Sequence, residues 1–204
     1  MTIRTCFFDM GNVLVFFSHD LMHQNVAELT GIDQSQVKRL FTENGQLVAL
    51  ETGRITSAQL AESLRESSRR DFTTPQLEEA VSAIFRLNES IIPVLQDLKL
   101  AQRRLVLLSN TSLPHLEYVQ RNFSVLDLFD DLVTSFAVGA MKPDTAIFSA
   151  ALQKAECPAE ECFYTDDIED YVRQAAGMGI HSRVYTETSL LRSQLQELGA
   201  FQPL

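Results

Sequence analysis

The feature that most limits how this chain can fold is a series of short, β-leaning apolar runs, each stopping abruptly in polar residues. The first covers residues 3–8 and breaks into Asp9-Met10-Gly11-Asn12, polar and flexible enough for a turn after a buried strand. Beyond about Asn88 runs of the same kind alternate with helical periodicity. A helix near 91–102 precedes a strand at 104–108, and a helix from about Pro114 precedes a short strand at 132–135. Pro143 opens a helix with Ile147, Ala150 and Ala151 on its apolar face. A strand at 162–164 follows, then a helix marked by Val172, Ala175 and Ala176. A strand at 182–185 and a helix around 189–198 close the series. Strands that alternate with helices imply a parallel sheet covered on both faces, so the expected fold class is α/β with a doubly wound parallel sheet.

Between the first strand and the rest, residues 18–87 read as helical throughout. Met22, Val26 and Leu29 share one face, and so do Val37, Leu40 and Phe41 after an Asp33 cap. Thr56 and Gln59 have capping-box spacing ahead of Leu60, Ala61 and Leu64, and Thr74-Pro75 precedes Leu77, Val81, Ile84 and Phe85. Four helices and no strand are expected there, inserted as a subdomain into a core made of residues 1–17 and 88–204. A hydrophobic content of 45% over 204 residues supports one substantial core with room for that insertion.

Charge and cysteine usage narrow the partners. A net charge of −10 argues against a nucleic-acid backbone or an anionic membrane surface. No apolar run approaches the roughly 20 residues needed to cross a bilayer. The opening stretch reaches Asp9 before a signal-peptide apolar region can build, so a cytoplasmic protein is expected, as a monomer or weak homodimer. Cys6, Cys157 and Cys162 are odd in number and lack metal-ligand spacing, which suits reduced thiols.

In open parallel α/β sheets, ligands bind beyond the carboxyl ends of the strands. Those positions hold Asp9, Ser109-Asn110, Lys142-Pro143 and Asp166-Asp167, with Asp170 close behind. Carboxylates from two strand ends, with a lysine and a hydroxyl from two others, suit Mg²⁺ and phosphate: oxygen ligands for a hard cation, donors for phosphoryl oxygens. Singly, each has a plainer meaning. Asp9 suits an Asx turn, Ser109-Asn110-Thr111 a helix cap, Lys142 a solvated helix start, and the acidic pair a helix N-terminus. No Gly-rich nucleotide loop is present. His19, His23, His115 and His181 have neither ligand nor triad spacing and read as ordinary structural residues.

Taken in order, the series Phe8-Asp9-Met10-Gly11-Asn12-Val13-Leu14, Leu107-Leu108-Ser109-Asn110-Thr111, Met141-Lys142-Pro143-Asp144 and Phe163-Tyr164-Thr165-Asp166-Asp167 resembles the four motifs of the haloacid dehalogenase-like (HAD) hydrolase superfamily. The resemblance covers nearly the whole chain and implies a Rossmann-like core with an α-helical cap inserted after the first motif. Within the superfamily the chain is most similar to small bacterial phosphatases of α-D-glucose 1-phosphate, which share the first two motifs, and Glu51-Thr52-Gly53-Arg54-Ile55 also fits that subgroup. It implies that Asp9 is the nucleophile, forming an aspartyl-phosphate that water hydrolyses. It also implies Mg²⁺ held by Asp9, the Gly11 carbonyl and Asp166, with Asp167 nearby. Ser109 and the amides of Met10, Gly11 and Asn110 would hold a small phosphorylated substrate, Lys142 would neutralise charge, and Asp170 would orient its loop.

One departure from the pattern matters. The position two after the nucleophile is usually a second Asp that protonates the leaving oxygen, and here it is Gly11. General acid catalysis is worth on the order of 10²–10⁴ in rate. Three remedies are compatible with the residues: a leaving group that needs little protonation, such as that of a hexose 1-phosphate; a cap residue such as His19, Asp20 or His23; or a bound water. The loop over 44–54 is the candidate specificity element of the cap. Two other functions fit parts of the pattern. A 2-haloacid dehalogenase also lacks the acid but needs no acidic pair, and a non-catalytic phosphate-ligand binder needs no acid at all.

Overall fold

The computed structural model describes residues 2–201. Thr5–Phe8 form β1, buried along its whole length. Its alternate side chains serve opposite faces of the sheet, so Cys6 and Phe8 enter one core and Phe7 the other. A tight turn follows, in which the N–H groups of Leu14 and Val15 both donate to the Met10 carbonyl. It leads into β2 (Val15–Phe16). The helical insertion then runs through α1 (His19–Thr30), α2 (Gln34–Lys38) continued by a π-helical turn (Arg39–Glu43), α3 (Gln46–Glu51), α4 (Ser57–Arg65) and α5 (Thr74–Ser82). It has a core of its own around Met22, Val26, Phe41, Leu64, Leu77 and Val81. β3 (Arg86–Leu87) pairs antiparallel with β2, so the chain leaves and rejoins the α/β body through a two-stranded ribbon. Asn88 pins its base, donating to the Val13 carbonyl and to the Tyr185 hydroxyl, both at 2.8 Å.

The remainder alternates: α6 (Ile92–Leu100), β4 (Arg104–Ser109), α7 (Leu113–Asn122), β5 (Asp131–Thr134), α8 (Ser135–Val138), α9 (Thr145–Lys154), β6 (Cys162–Asp166), α10 (Glu169–Gly177), β7 (His181–Val184) and α11 (Thr188–Glu197). All five long strands are parallel, in the order β5-β4-β1-β6-β7. The order reverses at β1, and its carboxyl end is therefore the switch point where a crevice opens. Among the described residues no helix is long and apolar enough to cross a membrane.

The expected α/β class holds, with corrections inside it. The 18–87 stretch contains five helical segments, because α3 lies where a loop over 44–54 was expected. With six residues and only Leu50 buried, α3 is too short to display a helical period. It also contains β3, whose two residues are too few for an alternation to be read. The capping box of α5 is Thr73 with Gln76, one residue before Thr74-Pro75, leaving Pro75 in the first turn. Pro143 does not open α9. Asp144 caps that helix by accepting from the Ala146 N–H at 2.8 Å, which leaves Pro143 outside it.

Candidate active site

Asp9 stands one residue beyond β1, flanked by the ends of β4 and β6. Its main-chain N–H is fixed by the Thr165 carbonyl at 3.1 Å. Lys142, on the segment between α8 and α9, reaches under the sheet edge. Its Nζ lies 2.8 Å from Asp9 Oδ1 and 2.5 Å from Asp166 Oδ2, and donates to the Leu108 carbonyl at 3.0 Å. The lysine is 3% exposed, so this charge is committed to the two carboxylates. Asn110 sets its backbone, accepting from the Lys142 N–H at 2.7 Å and donating to the Lys142 carbonyl at 3.0 Å. The rings of Tyr164 and Tyr171 lie 5.7 and 5.3 Å from the ammonium. Asp166 is held from three sides, by Lys142, by the Tyr164 hydroxyl and by the Ile168 N–H. Asn12 donates to Asp167 at 2.9 Å.

The electrostatics favour a bound cation. Asp9, Asp166 and Asp167 each place an oxygen within 4.8 Å of the others. Three carboxylates against one ammonium leave a local charge of about −2 in a largely dry site, which a divalent cation with oxygen ligands neutralises. Burial pushes the Asp9 pKa up to about 6, with Lys142 pulling it down and Asp166 pushing it further up. Burial works against the Lys142 ammonium, but Asp9 and Asp166 outweigh it and hold its pKa above the ordinary lysine value. The donor set therefore fits Mg²⁺ by chemistry as well as by number.

The structure brings Asp9, Lys142, Asp166, Asp167, Gly11, Ser109 and Asn110 to one strand-end edge. The Met10 side chain is buried in the core, leaving only its backbone for a ligand. Asp170 stays out: it is exposed and paired with Arg173, while Asp166, not Asp170, ties the following loop. Asp20 is exposed, and His23 packs inside the insertion edge-on to Phe41, so neither faces the site. His19, weighed from sequence both as a structural residue and as a cap acid, and His115, read as an ordinary structural residue, line a cavity beside Gly11.

That cavity of about 40 Å³ lies between the α/β edge (Met10, Gly11, Phe17, Asn110, Thr111) and the insertion (His19, Glu51, Ile84). Glu51 is the residue that the sequence reading did not single out for chemistry. Burial pushes its carboxyl up to about 7, the charge on Asp9 adding to the effect. Its carbonyl accepts from the Ser135 hydroxyl at 2.5 Å, and the same hydroxyl accepts from the Thr111 N–H at 2.9 Å. Ser135 thus ties the end of α3 to the loop after β4. His115 is neutral: burial pushes its pKa down to about 4, and its Nε2 is bonded to the Val81 carbonyl.

A doubly wound sheet with a lysine-held aspartate at its switch point, beside two further carboxylates, defines an α/β protein with an aspartate-centred candidate site. The family follows from comparison. A family model of haloacid dehalogenase-like hydrolases matches residues 3–179, and the chain belongs to that family of hydrolases. Phosphatase MT3486 of Mycobacterium tuberculosis is 22% identical, covering 98% of this chain and 97% of its own. Drimenol cyclase drtB of Aspergillus calidoustus is 31% identical over 91 residues, 45% of this chain, and the match spans only 17% of the cyclase. HAD family enzyme BT-2542 of Bacteroides thetaiotaomicron, solved with magnesium and inorganic phosphate, superposes with a TM-score of 0.78 at 25% identity. That superposition covers 90% of this chain and 94% of the other.

Proposed function

We propose that this hydrolase is a Mg²⁺-dependent phosphatase of a small phosphorylated metabolite, with the helical insertion (18–87) acting as its cap. The observation that carries the reading is the buried Asp9, held by Lys142 within reach of Asp166 and Asp167. A phosphatase relative and a neighbour solved with magnesium and phosphate support it. In this reading Asp9 Oδ attacks phosphorus in line and carries the phosphoryl group until water removes it. Lys142 aligns the nucleophile and offsets charge on the transferring group, while Ser109 and the amides of Met10, Gly11 and Asn110 supply hydrogen-bond donors to its oxygens. Asp9, the Gly11 carbonyl, Asp166 and Asp167 would hold Mg²⁺, which when bound neutralises charge shared by nucleophile and phosphate.

The substrate class follows from size and position. The cavity beside Gly11 is narrow, about 40 Å³, and lies between the core edge and the insertion, which favours a small organic part over a protein phosphosite. With Gly11 in place of an acid, a hexose 1-phosphate is the first candidate, because its anomeric oxygen leaves more readily than an ordinary alkoxide. The test is phosphate release from sugar phosphates, nucleotides and p-nitrophenyl phosphate with Mg²⁺ or EDTA, comparing wild type with Asp9→Asn. Release that requires both Mg²⁺ and Asp9 is expected. Full activity of Asp9→Asn would remove the nucleophile assignment, and EDTA-insensitive halide release from 2-haloacids would put dehalogenation in its place.

A further inference from the structure

Phosphoryl transfer from an ordinary alcohol leaves an alkoxide unless a proton arrives as the bond breaks, and the core edge of this protein supplies no acid. The space where a side chain at residue 11 would project is already taken: a Cβ built on Gly11 stands 2.8 Å from Cε1 of the Phe17 ring. The core edge therefore lacks the acid, and a side chain there would have to displace the Phe17 ring. For a substrate whose leaving oxygen needs a proton, a side-chain donor would come from the facing wall of the cavity, where the insertion places one carboxyl, Glu51.

We infer that Glu51 is the general acid and base of the reaction, supplied by the cap to the site that Asp9 serves. Three features of its setting fit the role. It lines the same small cavity as Gly11, Asn110 and Thr111, beside the turn that presents Asp9, and is near enough to feel the Asp9 charge. Its carboxyl carries no hydrogen bond or ion pair among the described residues, leaving it free to engage a substrate oxygen, and burial favours its protonated form. Its backbone is fixed to the core by Ser135, which also holds Thr111 beside the phosphate donors. The two histidines of the cavity serve less well. His115 spends Nε2 on the Val81 carbonyl, and the His19 ring lies against the Phe17 ring at 5.0 Å, with burial favouring its neutral form.

The proton balance closes over two steps. As Asp9 Oδ bonds to phosphorus, the phosphorus–oxygen bond to the leaving group breaks and that oxygen takes the Glu51 proton, releasing the alcohol. Water then attacks phosphorus and gives its proton to the Glu51 carboxylate, which frees Asp9, forms inorganic phosphate and restores the acid.

The inference rests on the phosphatase reading, and the experiment separates the two. With Mg²⁺, kcat/KM, which reports the steps through release of the alcohol and not the shared hydrolysis step, is measured for p-nitrophenyl phosphate, whose phenolate leaves without help, and for a hexose 6-phosphate, whose alkoxide does not. Wild type, Glu51→Gln and Glu51→Asp are compared, with thermal unfolding to check that each is folded. In Glu51→Gln the hexose 6-phosphate rate is expected to fall by about 10²-fold more than the p-nitrophenyl phosphate rate, the low end of what a general acid contributes. Glu51→Asp keeps the acid but shortens it, and should fall between. Equal losses on both substrates, or none, would overturn the assignment of Glu51 while leaving the phosphatase reading intact. A wild type inactive on these two and on the whole panel of sugar phosphates and nucleotides would remove the phosphatase reading and this inference together, and one active on p-nitrophenyl phosphate alone would overturn the assignment of Glu51.

Discussion

Glycine at position 11 changes the chemistry available to Asp9 without disturbing the turn that presents it. The turn is held by backbone groups, the Leu14 and Val15 N–H groups on the Met10 carbonyl and the Asn12 N–H on the Val15 carbonyl, so no side chain is needed at residue 11. The missing side chain lets the Phe17 ring pack directly over the turn. Gly11→Asp therefore places a carboxylate into an aromatic ring, and overpacking of this sort costs about 1–3 kcal/mol, with desolvation of the new charge added. The expected result is a lower midpoint in urea and no gain on alcohol phosphates. Pairing it with Phe17→Ala should recover part of the lost stability by making room. A single Gly11→Asp variant that kept its midpoint and gained activity would show that the ring moves aside freely.

At the scale of elements, the junction between α3 and α8 decides where Glu51 stands. Gly53 follows it by two residues with φ +67°, and a Cβ there would lie 2.6 Å from the Phe136 carbonyl oxygen. Both the left-handed backbone and the close approach demand glycine, so Gly53→Ala must lift the end of α3 off the core. An αL penalty of roughly 1–2 kcal/mol plus the clash predicts a stability loss of that order or more, and the loss of activity on a hexose phosphate should exceed it because Glu51 moves too. Parallel loss of activity and stability in the same ratio would place this junction outside catalysis. The sequence revealed elements in proportion to their length and repetition. β4, with its run Leu105, Val106, Leu107 and Leu108, and β1 were readable because buried parallel strands are continuous apolar runs. The ribbon of β2 and β3 and the short α3 were not, since two to six residues carry no period. Most residues of the core edge were readable because Asp9, Ser109-Asn110 and Asp166-Asp167 lie at or just beyond strand ends, whereas Lys142 arrives only after α8. Glu51 was readable only as part of the 44–54 segment, because its place beside Gly11 depends on the Ser135 hydroxyl bonding its carbonyl across 84 positions, which no local pattern encodes.

For the whole molecule, two kinds of negative charge oppose the folded state and answer differently to magnesium. The chain carries a net charge of −10, spread over its surface, and any salt screens that repulsion. The cluster of Asp9, Asp166 and Asp167 is different: it is largely buried, only partly offset by Lys142, and beyond the reach of diffuse counterions. A cation bound there binds the folded chain and not the unfolded one, so at 100 times its Kd it adds about 2.7 kcal/mol of stability. For a chain of this length, about 2–4 °C per kcal/mol converts that to a rise in Tm of roughly 5–10 °C. The rise should saturate with Mg²⁺, exceed that of NaCl at matched ionic strength, and reverse on adding EDTA. Asp167→Asn removes one oxygen charge from the partly exposed side of the cluster while sparing the Lys142 pairs, so the variant should fold and respond to Mg²⁺ only at higher concentration. If wild type and Asp167→Asn instead followed the same curve, and that curve matched NaCl, the acidic cluster would be an ordinary part of the surface charge and the metal would have no place in the site.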